Sequence, residues 1–313
     1  MITIRELIIE YSEVLAQHDI PNHVNEVEIL LSHFLNATKS DLFLYENKVN
    51  SSVIEAFKRG ISERITRKPL QYIIGNVPFL NTTIKVNENV LIPRPETEFM
   101  VDLILKECGI VHSSLNSEFK ILDLCTGSGA IAIALKENIK FATVVATDVS
   151  DMALKVAKAN AKLNDVEINF IQSDLFETFY SHHPKVTETD HEYEDQISYN
   201  SDSDLLIGDK SQIEFDLIIS NPPYISLADY NALQPELFHE PKLAFVSEND
   251  GYYFYEKIIS EAIFFMKPNA KLYLEIGENQ AKKIISLAKN NVFLKIDVFK
   301  DLCEKDRIVR LMK

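Results

Sequence analysis

The sequence predicts an α/β protein in which a seven-stranded, Rossmann-like sheet follows a small N-terminal helical bundle. Three observations predict it. From residue 99 onward, short apolar runs of strand length alternate with amphipathic helical stretches. One such run, Ile121-Leu122-Asp123-Leu124, gives way to the small residues Cys125-Thr126-Gly127-Ser128-Gly129 and then to a helical pattern from Ala130, the strand, tight turn and helix of a nucleotide-binding sheet. A later run, Phe215 to Ser220, stops at Asn221-Pro222-Pro223-Tyr224. Each proline lacks an N–H and fixes φ, so the chain must leave the sheet there as a rigid turn at a strand end.

In chain order, residues 1–67 carry apolar positions at helical spacing: Ile4, Leu7, Ile8 and Tyr11, then Val27, Leu30, Leu31 and Phe34, then Val53, Ile54, Phe57 and Ile61. This bundle is assigned to substrate recognition, with a purely structural cap as the alternative. Residues 68–98 change to short extended runs broken by Gly75, Pro78, Asn81 and Asn87 and read as a linker hairpin. They end in Ile92-Pro93-Arg94-Pro95-Glu96-Thr97-Glu98, where the prolines stiffen the entry to a helix and the acids suit its positive end. Arg94 or Glu96 could also wall a ligand pocket.

Residues 99–313 form the sheet domain. Strands are expected near 121–124, 142–147, 168–171, 215–220, 271–276, 293–299 and 307–312, the last two antiparallel, with helices near 252–266 and 279–289. Between about 180 and 212 an acidic, polar tract with few core residues interrupts the rhythm and reads as a solvated insertion. Its His182, His183 and His191 need no metal to explain them.

Composition narrows the class. At 313 residues with 46% hydrophobic content the chain can build two domains and a substantial core. Its three cysteines, Cys108, Cys125 and Cys303, lie far apart without metal-ligand spacing and read as free thiols. Arg5, Glu6, Glu10 and Glu13 interrupt the first apolar pattern, so neither a signal peptide nor a spanning helix is expected, and a cytoplasmic monomer is. The net charge of −15 argues against a grip on nucleic acid. The densest basic group, Lys58, Arg59, Arg64, Arg67 and Lys68, reads as a solvated helix face.

The candidate site joins the two interrupted runs. Gly127 and Gly129 let backbone approach a ligand and leave N–H groups free at a helix start. The strand after that helix ends in Asp148, about twenty residues beyond the loop, where a carboxylate can accept both ribose hydroxyls of a nucleoside. Asp174 is placed to meet an adenine amino group, with Leu175 and Phe176 against the ring. Gly127-Ser128-Gly129-Ala130-Ile131-Ala132 also fits the dinucleotide fingerprint, which keeps a nicotinamide-dependent dehydrogenase in view. The fourth strand separates the two. The Asn221 side-chain oxygen and the Pro222 carbonyl can each accept one hydrogen of an –NH2 group while the Tyr224 ring lies on its plane. Methyl transfer to nitrogen uses such a clamp and hydride transfer does not.

Together these residues resemble the release-factor glutamine methyltransferases of the HemK/PrmC type. The resemblance rests on Pro69 to Gly75, Ile92 to Glu98, Asp123 to Ala130, Asn221 to Tyr224, Glu240-Pro241 with Asp250-Gly251, Glu275-Ile276-Gly277, and Asp301-Leu302 with Asp306-Arg307. It implies a class I methyltransferase sheet, S-adenosyl-L-methionine as methyl donor, and methylation of the amide nitrogen of the glutamine in the Gly-Gly-Gln motif of peptide chain release factors. It further implies that Cys125, Thr126, Gly127, Ser128 and Gly129 wrap the methionine moiety and that Asp148 binds the ribose. Leu175 then stands at an adenine contact, and Asn221, Pro222, Pro223 and Tyr224 bind the glutamine, with Asn221 also near the cofactor. Asn221-Pro222-Pro223-Tyr224 alone is shared with enzymes that methylate adenine N6 or guanine N2, so a nucleic-acid N-methyltransferase stays as an alternative. Cys125 replaces the glycine usual at that position, a departure tolerable if its φ is negative.

Overall fold

The computed structural model describes residues 2–44, 49–111, 119–180, 213–291 and 293–313. The expected acidic insertion and its three histidines thus lie outside the described residues, apart from Tyr180.

The N-terminal segment folds as α1 (Ile4–Gln17), α2 (His23–Leu35), α3 (Lys39–Leu44) and α4 (Ser51–Ile65). The first helix opens with a capping box in which Thr3 Oγ1 accepts from Glu6 N–H at 3.2 Å and Glu6 Oε2 accepts from Thr3 N–H at 2.7 Å. Leu7, Leu15, Val27, Leu30, Leu31 and Phe57 are completely removed from solvent in a core of their own. After α4 the chain makes a short helix that the expected extended runs did not include, α5 (Leu70–Ile74), then the hairpin β1 (Asn76–Phe79) and β2 (Thr82–Lys85).

The basic cluster is not a solvated face throughout. Arg64 is only 3% exposed, with its Nε donating to Glu26 at 2.5 Å and its Nη2 to Glu236 at 3.0 Å. Arg67 reaches the same Glu236 oxygen at 3.1 Å. Spacing along α4 could not show that acids distant in sequence would close over it.

Helix α6 (Pro95–Val111) starts on a proline, where the missing N–H has no intrahelical partner to lose. The remaining elements are β3 (Lys120–Leu124), α7 (Ala130–Asn138), β4 (Thr143–Asp148), α8 (Asp151–Leu163), β5 (Asn169–Gln172), α9 (Glu177–Tyr180), β6 (Phe215–Ser220), α10 (Leu227–Tyr230), a turn α11 (Glu248–Gly251), α12 (Tyr253–Phe265), β7 (Met266–Glu275), α13 (Ala281–Asn290), β8 (Lys295–Lys300) and β9 (Asp306–Met312). Among the described residues, seven strands form one sheet in the order β5-β4-β3-β6-β7-β9-β8. Pairing is parallel from β5 to β7, and β9 runs antiparallel to both β7 and β8. The seven strands, with the antiparallel pair last in the chain, match the sequence expectation. Helices α6, α7 and α8 cover one face with the hairpin, while α12 and α13 cover the other.

Buried Asn160 on α8 fastens the hairpin to the sheet domain. Its Oδ1 accepts from Lys85 N–H at 2.8 Å, and its Nδ2 donates to the carbonyls of Lys85 and Ser128, both at 2.9 Å. A fully buried amide thus links β2 to the glycine loop. Asn160→Ala leaves the partly buried N–H and carbonyl of Lys85 and the buried carbonyl of Ser128 without this partner and is expected to lower unfolding free energy by about 2–3 kcal/mol, read from the urea midpoint.

Candidate active site

The sheet order reverses at β3, with β4 and β5 on one side and β6 and β7 on the other, so the loops leaving β3 and β6 open a crevice at their carboxyl ends. Asp123, fully buried at the end of β3, shapes the first loop. Its Oδ2 accepts from Thr126 Oγ1 at 2.6 Å and from Ala132 N–H at 3.2 Å. Burial pushes its carboxyl up to about 7 against the pull of those two bonds. Thr126 N–H donates to Thr147 O at 2.9 Å, pinning the loop to β4. Gly127 and Gly129 have φ of +56° and +83°, the left-handed region that glycine enters without strain.

Cys125 also has positive φ, at +59°. The condition set for tolerating Cys125, a negative φ, is therefore not met: the thiol occupies a conformation that favours glycine. Burial raises the thiol well above its ordinary range.

Asp148, at the end of β4, holds one backbone N–H on each oxygen: Gly127 on Oδ2 and Ser150 on Oδ1, both at 2.9 Å. Its pKa is raised by burial and pulled back by those two bonds. The next loop is folded by Ser173, whose N–H donates to Asp148 O at 3.1 Å and whose Oγ donates to Leu175 O at 3.0 Å. Leu175 sits at φ +48°.

These loops surround an open cavity with about 740 Å3 of empty space, the solvent at its mouth included. Of the sequence-predicted residues, Cys125, Gly127, Asp148, Asp174, Leu175, Asn221 and Pro223 line it. Thr126, Ser128, Gly129, Pro222 and Tyr224 adjoin it in the same loops without lining it. Two expectations change. Phe176 is fully buried and stacks on Phe265, with ring centroids 4.9 Å apart and planes 3° from parallel, so it belongs to the core. Arg94 and Glu96 do not line the cavity; the wall from that region is Asn89, Val90 and Leu91. Arg94 instead donates to Glu240 Oε1 at 2.6 Å, while Glu240 Oε2 accepts from Ile92 N–H at 2.8 Å. Sequence reasoning also missed Pro241, Leu243, Ala244 and Phe254 on the far wall. Only the Glu240-Pro241 pair of the family resemblance pointed to it.

The corner after β6 is held from behind at several points. Asn221 Nδ2 donates to Thr97 Oγ1 at 3.2 Å, and Thr97 Oγ1 donates to Glu275 Oε2 at 2.6 Å. Thr97 and Glu275 are both buried, and burial pushes the Glu275 carboxyl up to about 7 despite the Thr97 bond and Arg307 nearby. Gln280 Nε2 donates to Tyr224 O at 3.1 Å, and a Cβ on Gly251 would stand 2.3 Å from that same carbonyl. Beyond the corner, Ile225 N–H donates to Phe245 O at 2.8 Å and Ser247 N–H to Ile225 O at 2.9 Å. Burial, with the Glu275 charge second, raises the Tyr224 phenol above its ordinary range.

Strand order, glycine loop and pocket define a class I methyltransferase fold. At the level of fold alone, the chain is similar to the catalytic domain of hMettl16 solved with a 3'UTR hairpin, with TM-score 0.52, 15% identity, and 80% of this chain and 81% of that one covered. Residues 6–75 match the PrmC N-terminal domain and residues 107–187 the methyltransferase small domain. The release factor glutamine methyltransferase of Thermodesulfovibrio yellowstonii is 33% identical over 293 residues, covering 93% of each chain. That of Flavobacterium psychrophilum is 35% identical over 286 residues, covering 90% of this chain and 89% of its own. The chain belongs to the release factor glutamine methyltransferase family.

Two substitutions test this geometry. Cys125→Val, a β-branched side chain at positive φ, is expected to lower the thermal midpoint and weaken nucleoside binding, whereas Cys125→Gly keeps both within about 1 kcal/mol of wild type. Gly251→Ala must displace the Tyr224 carbonyl, and is expected to lower methyl-transfer kcat by about tenfold or more while cofactor affinity by calorimetry changes little.

Proposed function

We infer that this chain transfers a methyl group from S-adenosyl-L-methionine to the side-chain amide nitrogen, N5, of the glutamine in the Gly-Gly-Gln motif of peptide chain release factors. The observation that carries it is the Asn221 side chain, which spends its Nδ2 on Thr97 and so leaves its oxygen as the acceptor for a carboxamide beside the cavity. The family of the chain supports the same substrate.

The residues present fit the cofactor. Each Asp148 oxygen holds only one N–H and keeps accepting capacity for ribose hydroxyls. Gly127 is open on its side-chain side, with nothing within 4 Å of the point where a Cβ would stand. Cys125 to Gly129 would hold the methionine moiety, Asp148 the ribose, Asp174 and Leu175 the adenine, with Asn221 adjoining. When bound, S-adenosyl-L-methionine supplies an electrophilic methyl carbon on a sulfonium.

The protein's task is orientation. An amide nitrogen is a poor nucleophile because its lone pair is delocalised into the carbonyl. Asn221 Oδ1 and the Pro222 carbonyl accept the two amide hydrogens and aim the lone pair at the cofactor side of the cavity, while Tyr224 packs on the amide plane. Pinning a nucleophile in this way is worth on the order of several kcal/mol of barrier. The same two oxygens stabilise positive charge growing on nitrogen, and the surplus proton leaves to water after transfer.

The helical segment 1–67 acts as the substrate-recognition domain, 68–98 as the linker hairpin and 99–313 as the methyltransferase domain. Contacts of Arg64 and Arg67 with Glu236, just past the corner, support a bundle that presents substrate to this mouth. The protein acts as a monomer in the cytoplasm and needs no nucleic acid or membrane. The net charge of −15 supports a protein rather than a nucleic-acid substrate, and among the described residues no helix is long and apolar enough to cross a membrane. The sheet, ending in an antiparallel β7-β9-β8 set, does not favour a dehydrogenase.

Incubation with purified release factor and S-adenosyl-L-methionine is expected to add one methyl group to the Gly-Gly-Gln glutamine, located by peptide mass spectrometry. Asn221→Ala is expected to lower kcat by about 100-fold or more with cofactor Kd within about threefold. Equal losses in rate and cofactor affinity would contradict the role given to Asn221.

A further inference from the structure

Asn221 can clamp an amide only if its side-chain oxygen, and not its –NH2, faces the substrate. The two rotamers related by a flip of the amide have nearly the same shape, so packing alone does not choose between them. Resting on the proposed function above, we propose that Thr97 and Glu275 are positioning residues that set this choice, forming a polarised relay in which the direction of two hydrogen bonds fixes which atom of Asn221 meets the substrate.

The relay runs inward from the site. A carboxylate accepts hydrogen bonds and donates none. With Glu275 ionised, the Thr97 hydroxyl must spend its single hydrogen on Glu275 Oε2, at 2.6 Å. Its remaining lone pairs then face Asn221 and can only accept, which draws Nδ2 to 3.2 Å and turns Oδ1 away toward the cavity. Water has little access to scramble this order, because Thr97 is 4% exposed and Glu275 1%. The three residues come from α6, the corner after β6, and β7, so the relay exists only in the folded sheet domain.

Protonated Glu275 reverses the polarity. A carboxylic acid can donate to Thr97 Oγ1, releasing the hydroxyl hydrogen toward Asn221 and favouring Oδ1 on that side. The amide then presents –NH2 to the substrate –NH2, donor against donor. The groups facing Glu275 are Arg307 on β9, Arg94 and Glu96 at the start of α6, Tyr224 on the corner and Tyr255 on α12. Arg307 and Arg94 favour the ionised form, Glu96 opposes it, and burial outweighs them to leave the carboxyl at about 7. The sign follows: the productive polarity is present above that value and is lost as pH falls through it. Asp123, also pushed up to about 7, lies at the other loop and is the competing source of any acid limb.

The test measures kcat, KM for release factor and cofactor Kd for wild type, Thr97→Val, Thr97→Ser and Glu275→Gln from about pH 6 to about pH 8.5. In wild type, kcat should fall toward tenfold per unit on the acid side, with cofactor Kd flat. Thr97→Val, which keeps shape and removes the hydroxyl, should lower kcat by about 30-fold with KM and Kd within about threefold, and Thr97→Ser should recover most of that loss. Glu275→Gln, an amide that does not titrate, should abolish the acid limb. A Thr97→Val enzyme with wild-type kcat, or an acid limb that survives in Glu275→Gln, overturns the relay while wild-type methylation leaves the proposed function standing. Should Thr97→Val fail to fold, the pH profile of Glu275→Gln decides alone. A wild-type enzyme that transfers no methyl group to the glutamine overturns the proposed function and the relay with it.

Discussion

The corner after β6 cannot hold itself. A turn with two prolines in succession has given up two N–H donors, so its shape is enforced by neighbours rather than by its own ladder. Three separate elements supply that enforcement. The start of α6 brings Thr97 to Asn221, the turn after β7 brings Gln280 to the Tyr224 carbonyl, and α11 brings the bare Cα of Gly251 against the same carbonyl. The positions of α6, β7 and α11 are in turn set by the sheet core, whose Ile218, Ile219, Leu272 and Leu274 are wholly buried. Packing of the sheet and geometry of the site are therefore one constraint seen at two scales.

A second consequence concerns charge. Asp123 and Glu275 lie fully buried at the ends of β3 and β7, on either side of β6, and both are pushed toward neutrality by desolvation. Asp123 shapes the glycine loop through Thr126 and Ala132, and Glu275 stands behind the proline corner through Thr97. Each accepts from a threonine hydroxyl, and Asp123 from a backbone N–H as well.

Much of the architecture was legible because strand and helix periods are local. The seven strands and the antiparallel end followed from runs of apolar residues and their spacing, and Asp148 followed from its distance past the glycine loop. What escaped was set by contacts distant in sequence. Nothing local to Arg64 announces Glu236, nothing near Asn160 announces Lys85, and the helix α5 was hidden because Leu70 to Ile74 is too short to show a period. Phe176 looked like a ring-contact residue by its place beside Leu175, yet it packs in the core against Phe265, a partner distant in sequence. The sign of φ at Cys125 was not legible for a related reason: this turn takes the left-handed conformation with a side chain present.

Glu236 receives both Arg64 and Arg67 on one oxygen, and His239 lies 3.1 Å from the Thr66 carbonyl. The segment that leaves the corner is thus latched to the last turn of α4 and the residues just beyond it. Tilting the bundle away from the sheet would leave Arg64 its partner Glu26 within the bundle but take both arginines from Glu236, a half-buried carboxylate. The bundle is accordingly tied to the segment that leaves the corner, and the bearing of the first four helices is set by a carboxylate far along the chain.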